Sequence, residues 1–161
     1  LFFNTFHIGY ERDLKNHNSI ALNGGFKLSE SYNKIARVGG LGEIQYRINL
    51  QYNKESVSLF SSNYSTFAYF APFVQYRYEE VHSDVVIPET GNKVTFIHAG
   101  FGGLGFGIRL SGIDSRFSLN AFAGGGMKYA DIYGDQKYSD FFEVGYTGIA
   151  PKISFQMGIA F

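Results

Sequence analysis

The chain has 161 residues, a formal net charge of zero and no cysteine. This length suits one domain with one core, and the absence of cysteine excludes disulfides, thiolate zinc sites and cysteine nucleophiles. A neutral balance provides no global field for nucleic acid, and no run of about 20 apolar residues exists that could form a transmembrane helix.

Apolar and polar residues alternate along most of the chain, which predicts β-strands rather than helices. The first two predicted strands cover residues 5–14 and 20–29, and the third covers residues 42–52. One face of the third strand carries Ile44, Tyr46, Ile48, Leu50 and Tyr52, and the other carries Glu43, Gln45, Arg47, Asn49 and Gln51.

Four more strands are predicted at residues 66–78, 94–110, 117–129 and 153–161. Pro72 has no backbone N–H, so it must either lack a ladder partner or mark a bulge. The alternation of the fifth strand becomes irregular near the paired glycines 102–103, which predicts a bulge there.

The predicted connections alternate in length. Residues 15–18 and 112–115 read as tight turns, whereas residues 31–38, 79–93 and 131–151 read as longer, polar loops. Bacterial outer-membrane barrels have short periplasmic turns and longer outer loops. A short turn is expected at residues 53–65, but this segment is long. Val57, Leu59 and Phe60 could extend the flanking strands and so shorten the turn.

This pattern predicts an all-β fold, an antiparallel up-and-down transmembrane β-barrel that forms a single domain over residues 1–161. Seven strands are counted, but bacterial single-chain barrels have an even number. We therefore expect eight strands in the full protein, with residues 1–4 as the last part of a first strand that is mostly missing from this stretch.

The apolar face is predicted to meet lipid, for four reasons. The opposite face is rich in glycine, which suits a narrow barrel interior. The strands match a membrane span of about 9–11 residues, tyrosines lie near strand ends, and an apolar strand ends in Phe161, a candidate C-terminal assembly signal. The predicted lipid-facing residues are Ile44, Tyr46, Ile48, Leu50, Phe106, Ile108, Ile153, Phe155 and Ile159.

The polar face carries charges of both signs, which are tolerated in a dry interior only when paired. We expect a salt-bridged plug rather than an open pore, because eight strands leave room only for side chains. The predicted interior charge network consists of Glu11, Asp13, Lys27, Glu43, Arg47, Arg77, Arg109 and Lys128.

Several segments resemble small Bacteroidota outer-membrane β-barrel proteins. The matching segments read FHIGYERDL (6–14), APFVQYRY (71–78), FSLNAFAGGG (117–126) and GIAPKISFQMGIAF (148–161). The resemblance implies an eight-stranded barrel in a two-membrane envelope. It brings no catalytic residues, and some barrels of this size belong to larger envelope assemblies.

Three motifs could carry chemistry. Residues 100–105 fit the GxGxxG fingerprint, but the strand pattern continues through them and no helix follows, so close-packed strand glycines are favoured over nucleotide binding. His98 with Ser139 or Asp140 could form a lipid-hydrolase site at the outer rim. The acidic residues of the last loop could bind calcium, although their spacing is not that of an EF-hand.

The leading functional prediction is a non-enzymatic outer-membrane barrel that acts as a structural or accessory subunit and has no cofactor and no metal. The expected partners are outer-membrane lipids and lipopolysaccharide, the barrel-assembly machinery during insertion, and other membrane proteins in a complex, but no nucleic acid. The alternatives are a rim-site lipid-modifying enzyme, a narrow channel and a soluble lipocalin-like binder.

Overall fold

The fold is a single antiparallel sheet. A computed structural model describes residues 5–14, 18–32, 35–59, 62–83, 94–112, 117–133 and 145–159. The strands are β1 (Thr5–Asp13), β2 (Ser19–Tyr32), β3 (Ile35–Leu59), β4 (Ser62–Ser83), β5 (Val94–Gly112), β6 (Phe117–Tyr133) and β7 (Gly148–Ile159). They pair in chain order as a seven-stranded meander, which confirms the all-β, antiparallel part of the prediction. Within these ranges, no helix is long and apolar enough to cross a membrane.

The register places large apolar side chains of neighbouring strands on one face. Leu22 of β2 pairs with Ile44 of β3, which pairs with Val74 of β4. All three side chains are exposed. We call this apolar surface the outer face and the opposite surface the inner face. The end where β1 joins β2 is called the lower end, and the end where β2 joins β3 the upper end.

Proline and glycine positions give one confirmed and one wrong prediction. Pairing of β3 with β4 stops between Gln45↔Phe73 and Ile48↔Phe70 and resumes in the same register, so Pro72 lacks a ladder partner there, because it has no N–H to offer. The bulge predicted at residues 102–103 is absent, since β5 pairs with both neighbours without a shift. Its alternation looked irregular because inner-face residues such as Ile97 and Phe101 are also apolar.

The strands are longer than predicted on both sides of β3. Residues 31–38 were expected to form a loop, but β2 continues to Tyr32 and β3 begins at Ile35. Their apolar residues are too sparse to reveal a strand by alternation. At the other end β3 reaches Leu59 and β4 starts at Ser62, which confirms that the flanking strands extend into residues 53–65. Register shifts fall between Lys27 and Glu30, and at two places in β3 after Asn49 and Asn53.

The sheet is strongly curved, with its inner face concave. Glu11 of β1 and Arg109 of β5 form an ion pair of 2.6 Å across the inner face. Four strand spacings would separate these strands by about 19 Å in a flat sheet, more than the two side chains can span. The buried interior therefore lies inside the curve of the sheet.

Candidate functional site

A shared carboxylate organises the lower end of the inner face. Glu11 accepts hydrogen bonds from Arg47 Nη1 at 2.7 Å, from Arg109 Nη1 at 2.6 Å and from Ser19 Oγ at 2.5 Å. These groups come from β1, β2, β3 and β5. Arg47 is 2% exposed, so its guanidinium has little contact with water and this carboxylate supplies the opposite charge. Asp13, also predicted to belong to the network, is 3.6 Å from Arg109 but remains largely exposed.

A second cluster lies directly above it and is centred on the buried Glu43. Gln45 Nε2 donates to Glu43 Oε1 at 2.7 Å and Asn23 Nδ2 donates to the same oxygen at 3.2 Å. The other carboxylate oxygen is paired with the ammonium of Lys152. Arg47 Nε also donates to Gln45 at 3.1 Å, which connects this cluster to the lower one. Lys152 lies on β7, so the pair links strands four positions apart in the sheet.

Aromatic rings fill the middle of the inner face. Phe73 packs edge-on against both Phe101 and Phe122, with centroids 5.1 and 5.7 Å away. The Tyr69 ring stacks on Phe122 at 6.4 Å. Lys152 Nζ lies 4.4 Å from the centroid of Phe73, a distance typical of a cation–π contact. The ion pairs are therefore packed against rings.

Polar bonds tie this aromatic layer to its surroundings. Tyr69 Oη donates to Asn120 at 2.7 Å, and Asn120 Nδ2 donates to Gln156 at 3.0 Å. The guanidinium of Arg47 lies 4.8 Å from the centroid of Tyr69. The phenol is thereby satisfied although Tyr69 is fully buried.

Inner-face glycines make this packing possible. A Cβ on Gly107 would collide with the Tyr69 ring, and one on Gly105 would collide with Phe122. Gly103 and Gly126 approach the backbone of the neighbouring strand so closely that neither could carry a side chain without a shift. Glycine on this face is thus required by close packing rather than by backbone conformation.

The upper end of the inner face holds the remaining predicted charges. Glu79 is 1% exposed and lies 3.3 Å from Arg77 Nε and 4.0 Å from Lys27 Nζ. Lys128 is buried on the same face. All eight residues of the predicted charge network therefore lie on the strands at positions that share the inner face, and seven of them are buried or half-buried, Asp13 being the exposed one.

The predicted apolar set lies on the outer face. Ile44 is 57% exposed and Phe155 is 81% exposed. The other exposed members of the set are Tyr46, Ile48, Leu50, Phe106, Ile108 and Ile153. The predictions for Ile159 and Phe161 lie outside the described side chains. The outer face thus exposes large apolar side chains, while seven of the eight predicted network charges are buried or half-buried on the inner face.

This polarity reverses near the upper end of β4, β5 and β6. Val81, Ile97 and Ala99 form a buried apolar cluster on the inner face. On the outer face at the same level, His82 Nε2 lies 2.9 Å from a carboxylate oxygen of Glu80. At this level the outer face therefore carries polar groups beside Phe96 and Tyr133, and the inner face carries both this apolar cluster and the buried Glu79.

The other sequence candidates do not assemble a site within the described residues. The glycines of residues 100–105 lie inside β5, with no helix after them in the described part of the strand. His98 lies on the outer face, while Ser139 and Asp140 are outside the described ranges. Among the described residues, no group of three or more His, Asp or Glu side chains could hold a metal ion.

Sequence reasoning missed the inner-face aromatics and the polar partners of the charges. Tyr69, Phe73 and Phe122 sit at inward positions, where alternation predicts polar or small residues. Gln156 was part of the predicted strand at residues 153–161 and Lys152 lay just before it, but neither was assigned to the network. The pairing of each aromatic with a strand glycine opposite it is the signal that could have revealed them.

Comparisons with known proteins give no relative: no family model, no curated protein and no solved structure matches this chain significantly.

Proposed function

We propose that this sheet is most of an eight-stranded β-barrel of the bacterial outer membrane, with the outer face against lipid and the inner face as a packed polar interior. In this proposal the barrel is non-enzymatic. It serves as a structural or accessory subunit of the cell envelope, docked to other membrane proteins. The observation that carries the proposal is the inverted burial, with apolar side chains outside and ion pairs inside.

The height of the apolar surface supports this orientation. Along residues 100–110 of β5 and 119–129 of β6, every outward side chain is uncharged. A tilted strand needs about 9–11 residues to cross the hydrocarbon core. Tyr76 and Tyr129 lie at the upper boundary of this surface. Tyr46 accepts a hydrogen bond from Asn18 beside the β1–β2 turn, toward the lower end. Tyrosines at both boundaries are typical of outer-membrane barrels.

The direction of the edge strands supports closure by one more strand. In a seven-stranded antiparallel meander, β1 and β7 run in the same direction. Direct closure would require a parallel pair, whereas one additional strand between them gives antiparallel pairing throughout. Bacterial barrels have an even number of strands for this reason, and an open edge within lipid would leave backbone groups without partners.

The interior favours a scaffold over a channel. Ion pairs cross the inner face from β1 to β5 and from β3 to β7, and aromatic rings fill the space between the upper and lower charges. An eight-stranded barrel has an interior just wide enough for such side chains. A rigid, filled barrel holds its loops and its lipid-facing surface in a fixed geometry. We infer that these surfaces carry the function, through lipid, lipopolysaccharide and protein partners.

Extraction from membranes in mild detergent tests the proposal. The full-length protein is expected to migrate faster on a gel before heating than after, because a closed barrel resists detergent, and stoichiometric membrane proteins are expected to co-purify. A protein that remains monomeric in buffer without detergent would contradict the barrel. If the protein conducts ions in a planar bilayer and Glu43→Ala or Arg47→Ala alters the conductance, the barrel is a channel rather than a scaffold. If it hydrolyses lipid and His98→Ala abolishes the activity, it is an enzyme.

A further inference from the structure

A group of aromatic side chains surrounds His98 on the outer face, at the upper limit of the apolar surface. Tyr76 Oη and His98 Nδ1 are 2.6 Å apart and share a hydrogen bond. The rings of Tyr78 and Tyr133 lie 5.1 and 5.9 Å from the imidazole, on β4 and β6 respectively. Tyr76 and Tyr133 are more than half exposed, so their rings are accessible to a ligand.

Beside these rings, the outer surface of β5 is not covered by side chains. Gly100 follows His98 on the outward side of β5 and stands between Tyr76 of β4 and Tyr129 of β6. A Cβ on Gly100 would meet no atom within 4 Å, in contrast to the inner-face glycines. The outer surface is therefore open at Gly100, as it is at Gly24 and Gly42, but only at Gly100 does the opening lie beside His98 and its aromatic neighbours. We call this opening and the side chains around it the pit. A glycine in a strand allows another molecule to approach the backbone closely.

The charge beside the pit is negative. Asp131 is directly opposite His98 in the register of β5 and β6 and is exposed. It makes no ion pair or hydrogen bond with any other described residue. Glu80 lies one outward position above Tyr78 on β4, whereas no Lys or Arg faces outward along the upper rows described for β4, β5 and β6. Aromatic faces together with a carboxylate suit a cation and disfavour a lone phosphate.

We propose that the pit formed by Tyr76, Tyr78, His98, Gly100, Tyr129, Asp131 and Tyr133 binds the ammonium head group of a membrane lipid. The inference rests on the proposed function, because the barrel orientation places this pit at the level of the lipid head groups. The carboxylate of Asp131 pairs with the ammonium and the tyrosine faces surround it. Two such interactions at a partly exposed site give a preference of about 5- to 10-fold over a lipid without the amine.

Lipid retention after reconstitution tests the site. The full-length protein is inserted into nanodiscs that contain equal amounts of phosphatidylethanolamine and phosphatidylglycerol with the same acyl chains. It is then extracted in mild detergent, and its bound lipids are counted by native mass spectrometry. Because both lipids carry the phosphate, a difference in their retention reports on the ammonium group alone. The wild-type protein is expected to retain the ethanolamine lipid about 5- to 10-fold in excess.

Matched variants separate the pit from a general interfacial effect. Asp131→Asn removes the carboxylate and is expected to lower the excess to about 2- to 3-fold, whereas Gly100→Leu fills the opening and is expected to bring it to within about twofold of unity. Tyr133→Leu is expected to weaken it, while Tyr10→Leu, equally exposed but on β1 and outside the pit, leaves it unchanged.

Each contrary result is distinct. Insertion with equal retention of both lipids overturns the inference and leaves the barrel intact. A loss in Tyr10→Leu as large as that in Tyr133→Leu overturns it as well, because any girdle tyrosine would then suffice. Failure of the protein to insert into nanodiscs overturns the proposed function, and the lipid site with it.

Discussion

Replacement of Glu11 by glutamine tests the inner-face network at its most connected point. The variant Glu11→Gln keeps the size and one carbonyl oxygen but removes the charge that two guanidinium groups share. Arg47 is almost fully buried and Arg109 is mostly buried, while the Glu11 side chain is 24% exposed. Removal of one partner from a buried ion pair costs about 3–5 kcal/mol. Because Glu11 is partly hydrated and Arg47 keeps its bonds to Gln45 and Gln156, we expect about 2–3 kcal/mol.

Reversible urea unfolding in lipid vesicles measures this change as a shift of the midpoint at constant slope. The matched control is Asp13→Asn, which removes an exposed carboxylate 3.6 Å from the same Arg109 and should cost less than about 1 kcal/mol. The double variant Glu11→Gln with Arg47→Met should recover part of the loss, since it leaves fewer unpaired buried charges. A Glu11→Gln variant no less stable than Asp13→Asn would refute the assignment of a shared buried carboxylate.

Three further perturbations address the packing, the outer face and the second charge cluster. Gly107→Ala should destabilise the protein by about 1–3 kcal/mol, because the new methyl group meets the Tyr69 ring, whereas Gly42→Ala, which has open space on the outer face, should change urea stability by less than about 0.5 kcal/mol. Ile108→Lys should cost about 2–4 kcal/mol of folding free energy in vesicles, and Phe117→Lys at the lower strand end about 0–1 kcal/mol; equal costs would contradict a lipid-facing surface. Lys152→Met leaves the buried Glu43 carboxylate without its cation and should lower the free energy of unfolding by about 2–4 kcal/mol in the same assay. Adding Glu43→Gln should restore part of this loss. A Lys152→Met variant of unchanged stability would mean that this pair does not stabilise the fold.

Alternation predicted the strands and faces well where one face is strictly apolar. In residues 42–52 the period of two assigned Ile44 and Ile48 to one side and Glu43 and Arg47 to the other, and the structure has them there. Once the register of a pleated strand is set, each side chain points to a fixed face of the sheet. The face of each residue can therefore be predicted from the local sequence. The tilt, the curvature and the long-range pairs are not local, and the sequence alone could not predict them.

The sequence was least informative where both faces of a strand carry apolar residues. At Tyr69 and Phe122 the ring fills space left by a glycine on the neighbouring strand β5, so the pattern of one strand depends on another. The same ambiguity produced the wrong bulge in β5. The upper ends of β4 and β6, residues 79–83 and 131–133, were predicted as loops because charged residues interrupt the apolar alternation there, whereas the upper end of β5 was predicted as strand.

The central claim is that the outer face contacts hydrocarbon, and spin-label accessibility tests it most directly, because the chain has no native cysteine. Labels at Phe155→Cys and Ile153→Cys, both highly exposed positions, are compared in vesicles with a label at Asp13→Cys. The account predicts that the labels on β7 collide often with oxygen and rarely with a water-soluble nickel chelate, with the opposite result at Asp13. Frequent collisions of the Phe155 and Ile153 labels with the nickel chelate would contradict it.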